Sequence, residues 1–116
     1  MASMTGNTIY DPVRETHYEE TVKEIVLNLC SSYACEIFLF GSRARGKARR
    51  SSDFDVGIRG LDLDAFNHVK RRIEDIVEDS PLPHSVDIVN FDCVPEPFRT
   101  IAMAERILWK SDCTPR

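Results

Sequence analysis

The sequence predicts an α/β (α+β) fold in which a small mixed β-sheet is flanked by helices. Short apolar stretches with the composition of strands alternate with longer segments that carry an apolar residue every three or four positions. The length of 116 residues favours one hydrophobic core. Composition supports a globular chain, since 42% of the residues are hydrophobic and 29% are charged.

The first predicted helix begins near Asp11-Pro12 and runs to about Ser31. Its apolar stripe consists of Tyr18, Val22, Ile25, Val26 and Leu29. The stretch Glu36 to Phe40 is short, apolar and rich in strand-forming residues, and Gly41-Ser42 ends it abruptly, which predicts a buried strand. The following residues up to Ser52 are small, polar and basic, so we expect a loop there.

The second predicted strand, Asp53 to Arg59, alternates strictly between two faces. One face carries Asp53, Asp55, Gly57 and Arg59, and the other carries Phe54, Val56 and Ile58. Gly60 and Asp62 then introduce a second helix, which ends at Ser80-Pro81-Leu82-Pro83. Its predicted apolar stripe is Leu63, Phe66, Val69, Ile73, Ile76 and Val77.

A third strand is predicted from about His84 to Phe91, and the crossover helix before it favours parallel pairing with the second strand. Pro95 and Pro97 open a last predicted helix. Its apolar residues are Phe98, Ile101, Ala102, Leu108 and Trp109. The run Ile107 to Trp109 is apolar all round, which is compatible either with core packing or with a surface for a partner.

Three aspartates are the first indication of a functional site. Asp53 and Asp55 share one face of their strand and lie about 6.5 to 7 Å apart along the chain. Parallel pairing of the next strand would bring Asp87 alongside them. Three neighbouring carboxylates repel one another unless their pKa values rise or cations bind them. Magnesium with a phosphate ligand is the usual solution.

A phosphate-binding loop is predicted directly after the first strand. Gly41 lets the backbone approach a ligand, and the next N–H groups, beginning at Ser42, can point at an anion. A basic run follows at once: Arg43, Arg45, Lys47, Arg49 and Arg50. Arg43 and Arg45 are the predicted phosphate contacts because they lie closest to the loop.

Residues 40–58, FGSRARGKARRSSDFDVGI, resemble the nucleotidyltransferase signature of the DNA polymerase beta-like superfamily: glycine-serine, a spacer of about ten residues, then two aspartates separated by one residue. The resemblance implies the polymerase beta-like nucleotidyltransferase fold. It implies that Gly41 and Ser42 hold a nucleoside triphosphate and that Asp53 and Asp55 bind metal. A third acid, for which Asp87 is the candidate, would join two Mg²⁺ ions and help to activate the attacking hydroxyl.

The run Arg43 to Gly46 resembles the minimal branch of that superfamily, the MNT proteins. Members of this branch are often paired with a helical HEPN partner, including in toxin-antitoxin systems, and add AMP to it. The resemblance implies transfer of AMP from ATP to an acceptor hydroxyl on a partner protein. The extra domain that contacts base and acceptor in larger relatives is expected to be absent. We assign residues 7–116 to a single nucleotidyltransferase domain, because residues 1–6 resemble the beginning of an expression tag.

Other functions stay open at this point. The chain could be a nucleotide-binding antitoxin or regulatory subunit that neutralises a HEPN-type partner by contact alone, and it could form a homo-oligomer. Nucleic acid is the least favoured partner, because the formal net charge is -4 and the basic run has no interleaved aromatic residue.

The cellular setting is predicted from what the sequence does not contain. No apolar run approaches the roughly 20 residues of a membrane span, so no membrane partner is expected. The start lacks the charged and apolar regions of a signal peptide, and the cytoplasm is the expected location. The four cysteines form no CxxC pair and no zinc-site spacing, and we expect reduced thiols. The three histidines are predicted to be exposed or on helix faces, outside the site.

Overall fold

The computed structural model of the chain describes residues 12–46 and 53–111. Its elements in chain order are α1 (Pro12–Leu29), β1 (Glu36–Phe40), β2 (Phe54–Arg59), α2 (Leu63–Glu78), β3 (Val86–Asn90), α3 (Glu96–Glu105) and β4 (Ile107–Ser111). The four strands form one mixed sheet in the order β3-β2-β1-β4. The predicted fold class, a small mixed sheet flanked by helices, is confirmed.

The register of the sheet decides where the acids lie. Strands β2 and β3 pair in parallel, as the crossover helix predicts, and Asp55 stands opposite Asp87. Strand β1 runs antiparallel to β2 on the other side and places Phe40 opposite Asp55. Phe40, Asp55 and Asp87 therefore form one row across three neighbouring strands.

Helices α1 and α2 cover one face of the sheet and enclose the larger part of the core. Its buried side chains include Val22, Val26, Phe54, Val56, Ile58, Phe66, Val69 and Ile73. Asp62 caps the start of α2, because its side chain accepts a hydrogen bond of 2.8 Å from the backbone N–H of Ala65. Two residues of the predicted stripe, Leu63 and Ile76, are exposed instead.

The other face of the sheet carries α3 and a smaller aromatic cluster. Phe38 and Phe91 are fully buried, with ring centroids 4.8 Å apart in an edge-to-face arrangement. Gly57 lies beneath these rings, because a Cβ at this position would come within 2.5 Å of Phe38 and 2.7 Å of Phe91. The missing side chain of Gly57 is what lets the two phenylalanines close over β2.

The prediction that one helix continues through Trp109 is wrong. Helix α3 ends at Glu105, Arg106 is extended (φ -73°, ψ 156°), and the next residues form β4. Strand β4 pairs antiparallel with β1 and satisfies the backbone groups along an edge that would otherwise be unpaired. Arg106 lies 5.6 Å from the centroid of the Phe38 ring and 3.4 Å from Glu36, which holds the change of direction in place.

Two other expectations concern cysteine and histidine. Among the described residues, Cys30, Cys35 and Cys93 form no disulfide bond. A hydrogen bond to Cys35, together with burial, raises the pKa of the Cys30 thiol. His84 is buried rather than exposed, with its ring 5.3 Å from Tyr18 and 5.6 Å from Phe54. None of the described helices has the length and apolar character needed to span a membrane.

Candidate active site

Two aspartates occupy the centre of the candidate site. Asp55 on β2 and Asp87 on β3 are directly paired in the sheet register and both line a cleft on the α3 face. Burial raises the pKa of the Asp55 carboxyl, and the charges of Asp87 and Asp53 raise it further, while Arg43 and Arg45 act against them. A cation bound between Asp55 and Asp87 would relieve this repulsion.

Asp53 does not line the cleft, although its charge acts on Asp55. It is exposed and immediately precedes β2. Within residues 12–46 and 53–111, no three carboxylate, imidazole or thiolate side chains converge closely enough to hold a metal ion by themselves. Magnesium in proteins is commonly held by one or two carboxylates together with water and substrate phosphates. Asp55 and Asp87 fit that arrangement, with a triphosphate completing the coordination.

Gly41 brings the predicted phosphate loop against the acid pair. It follows β1 with φ +79°, a conformation that favours glycine, and a Cβ at this position would overlap the Asp55 carboxylate. The carbonyl of Gly41 accepts hydrogen bonds from the N–H groups of Ala44 (3.1 Å) and Arg45 (3.2 Å), so the loop closes as a tight turn. Ser42 is the first residue of that turn and lines the cleft.

The two arginines chosen from the sequence point to different places. Arg45 lines the cleft, and its Nη1 lies 3.4 Å from Glu105 Oε1. Arg43 is buried, with its guanidinium 4.0 Å above the centroid of the Phe54 ring, which belongs to the core on the opposite face. Arg45 therefore lies in the cleft, whereas Arg43 packs outside it. The rest of the basic run lies outside the described residues.

The cleft has a volume of about 480 Å³, within the usual range of ligand pockets. Its second wall is one face of α3, whose residues are not among those that the sequence predicts for the site. The lining residues on that face are Phe98, Ile101, Ala102 and Glu105. Their spacing of three, four and seven positions is the sequence signal that could have grouped them.

Comparison with known proteins agrees with this geometry. The family model described as "Nucleotidyltransferase domain" matches residues 20–109. A curated relative from Haemophilus influenzae, named as a probable protein adenylyltransferase, MntA, is 33% identical over 81 residues. That alignment covers 69% of this chain and 68% of the relative.

Solved structures of similar fold come from the same group of proteins. A minimal nucleotidyltransferase is 29% identical, with a TM-score of 0.57, over 76% of this chain and 89% of its own. A toxin-antitoxin structure with AMP-PNP has a TM-score of 0.58 at 18% identity, covering 77% and 73%. A tri-AMPylated HEPN toxin of Shewanella oneidensis with its MNT antitoxin has a TM-score of 0.55 at 14% identity, covering 79% and 71%.

The two structures below 25% identity show the shared fold, whereas the family model and the MntA alignment show common ancestry in sequence. The aspartates, the glycine-serine turn and the family match all point to the same chemistry. This chain therefore belongs to the nucleotidyltransferase domain family, is a homologue of MntA, and is a transferase.

Proposed function

We propose that this protein transfers AMP from ATP to a hydroxyl group on a helical partner protein of the HEPN type. The observation that carries the proposal is the pairing of Asp55 with Asp87 in a cleft that also contains Ser42 and Arg45. The choice of AMP and of a protein acceptor is supported by the name of the MntA relative and by the AMPylated HEPN toxin in the Shewanella oneidensis structure.

The phosphate-binding role falls to the turn after β1. Gly41 allows the backbone to lie against the substrate, and the Ser42 hydroxyl and neighbouring N–H groups bind phosphate oxygens. Arg45 leaves Glu105 and neutralises the charge that builds up on the departing pyrophosphate. An exposed ion pair of this kind contributes at most about 1 kcal/mol, so its exchange for a phosphate contact is easy.

Asp53, Asp55 and Asp87 are the proposed ligands of two Mg²⁺ ions. Bound magnesium would neutralise the triphosphate and polarise its α phosphorus. Asp55 and Asp87 supply the inner positions because they line the cleft, and Asp53 approaches from the exposed start of β2.

In the transfer step, the acceptor oxygen forms a bond to the α phosphorus, and the bond from that phosphorus to the bridging oxygen of the β phosphate breaks. Pyrophosphate leaves with the electron pair. We assign the hydroxyl proton of the acceptor to Asp87, which is exposed at the cleft. Asp55 lies against Gly41 in the proposed phosphate loop and is therefore assigned to the metal rather than to this proton.

The direct test is transfer of label from ATP labelled at the α phosphate. We expect the isolated chain to transfer label about 100-fold more slowly than the chain mixed with a HEPN-type partner protein, because the partner holds its hydroxyl in line with the phosphorus. The label should appear on the partner. Efficient transfer by the isolated chain to a small free alcohol would contradict the protein-acceptor proposal and leave the family assignment intact.

Magnesium and ATP should strengthen each other's binding if Asp55 and Asp87 hold the metal, because coupling between two sites is reciprocal. Calorimetric titration of ATP in magnesium and in chelator should give affinities that differ by about tenfold or more. Sodium chloride at matched ionic strength is the control for general screening of charge. If the affinity for ATP is the same in magnesium and in chelator, Asp55 and Asp87 do not bind a metal at the nucleotide site.

A second candidate function keeps the nucleotide site but neutralises the partner by contact alone. The observation that favours it is the position of Asp53, which is exposed outside the cleft. The variants Asp55→Asn and Asp87→Asn separate the two functions. If both variants still suppress the toxicity of the partner in cells, contact alone is sufficient, whereas loss of suppression with retained complex formation supports transfer.

A further inference from the structure

The cleft has a polar end and an apolar end. Glu105 and Arg45 close one end with an ion pair, while Phe98 and Ile101 stand at the other end of the same α3 face. Glu105 follows Phe98 by seven positions in the helix, which corresponds to a rise of about 10 Å, the scale of one nucleotide. The lining of the cleft also changes from polar to apolar along β3, because Val89 follows Asp87 on the same face of the sheet.

Phe98 packs against two buried rings although it is partly open to solvent. The residue is 43% exposed, yet its ring centroid lies 5.8 Å from Phe40 and 5.7 Å from Phe91, both of which are buried. Phe98 also lines the cleft and forms an aromatic platform there. Ile101 beside it is 64% exposed, so the platform is part of a wider apolar surface.

A small residue follows Ile101 on this face of α3. Ala102 lines the cleft together with Val89 from β3. Nucleobases stack on aromatic side chains, and such stacking needs no hydrogen-bond pattern of its own. The polar end of the same cleft already contains the residues suited to the triphosphate.

We propose that the nucleobase of the bound nucleotide stacks on Phe98 and packs against Ile101, with the triphosphate directed toward Ser42 and Asp55. The inference rests on the proposed nucleotide-transfer function and adds the position of the base. Helix α3 then supplies the base contact within this domain. Phe98 acts as a binding residue that fixes the nucleotide along the cleft, and the acids act on its α phosphate.

The experiment compares ATP with inorganic tripolyphosphate, which carries the phosphates without a base. Both are titrated calorimetrically in magnesium against the full chain and its Phe98→Ala variant. We expect the wild type to bind ATP about tenfold more tightly than tripolyphosphate, and Phe98→Ala to lose about tenfold in ATP affinity with no change for tripolyphosphate. Phe98→Tyr, which keeps an aromatic ring, should retain the ATP affinity.

Leu63→Ala is the matched control, because Leu63 is an exposed apolar residue on α2, outside the cleft. The Leu63→Ala variant should bind ATP with the same affinity as the wild type. Ile101→Ala is a second test variant in case Phe98→Ala fails to fold, with an expected loss of about threefold for ATP alone. An unchanged ATP affinity in folded Phe98→Ala, or equal losses for both ligands, would overturn the base position. A wild type that binds neither ligand would instead overturn the proposed function, and the base position with it.

Discussion

Asp55→Asn is expected to lower AMP transfer by at least about 100-fold, because it removes a charge from the acid pair that faces the triphosphate. The measurement is transfer of label from ATP to the partner protein at saturating magnesium. Asp53→Asn should show a comparable loss if Asp53 is also a metal ligand, as the sequence predicts. Full activity in folded Asp55→Asn would exclude the proposed metal site.

In the absence of metal, Asp55→Asn should not reduce the stability of the fold, in contrast to its effect on activity. The folded-state pKa of Asp55 is raised by burial and by the neighbouring acids, so the folded protein binds this proton more tightly than the unfolded chain does. The resulting stability is fully present below the unfolded pKa and is lost as the pH rises through the folded pKa. Asp55→Asn should remove this decline, and urea unfolding in chelator at several pH values would measure it. A large loss of stability in Asp55→Asn would indicate a structural role instead.

Gly41→Ala should lower transfer by about 100-fold, because a Cβ at this position overlaps the Asp55 carboxylate and pushes it out of place. The carboxylate is the terminal group of a flexible side chain, so the overlap is relieved by moving the proposed metal ligand rather than by unfolding the domain. The loss should therefore appear in magnesium-dependent ATP binding as well as in transfer. Calorimetry and the labelling assay together measure both effects.

Gly46→Ala is the matched control for that variant. Gly46 has φ +74°, close to the +79° of Gly41, but an added Cβ there meets no atom within 4 Å in the part of the chain that the structure describes. Both variants strain the backbone by roughly 1 to 2 kcal/mol, and the overlap with Asp55 is specific to Gly41. If Gly46→Ala loses as much activity as Gly41→Ala, backbone strain in the loop explains the result and contact with Asp55 does not.

Local patterns predict most of this fold. Strict alternation in Asp53 to Arg59 places β2 within one residue, and the crossover helix predicts the parallel pairing that brings Asp87 opposite Asp55. Strand β4 could not be predicted in this way. Ile107 to Trp109 continue the apolar character of the preceding helix without a glycine or proline to end it. Their strand conformation depends on the open edge of β1, which is about 70 residues away in sequence.

The candidate site is predictable to a similar degree. Residue type and spacing select Ser42, Asp55 and Asp87, and the structure brings these three into one cleft. Spacing could not separate Arg43 from Arg45, because the difference depends on the Phe54 ring, which attracts the guanidinium of Arg43 toward the opposite face of the sheet. The position of Phe98 depends on tertiary packing in the same way, since two buried rings on other elements orient it.

Side chains along β2 alternate between the core and the candidate site. Phe54, Val56 and Ile58 are buried beneath α1 and α2, while Asp55 lies on the face of the sheet that carries the cleft. Inserting or deleting one residue within β2 would exchange these faces, so that a carboxylate would enter the apolar core and the phenylalanine would face the cleft. Natural variation of this family should therefore tolerate changes of length in the loops on either side of β2 and reject them inside the strand.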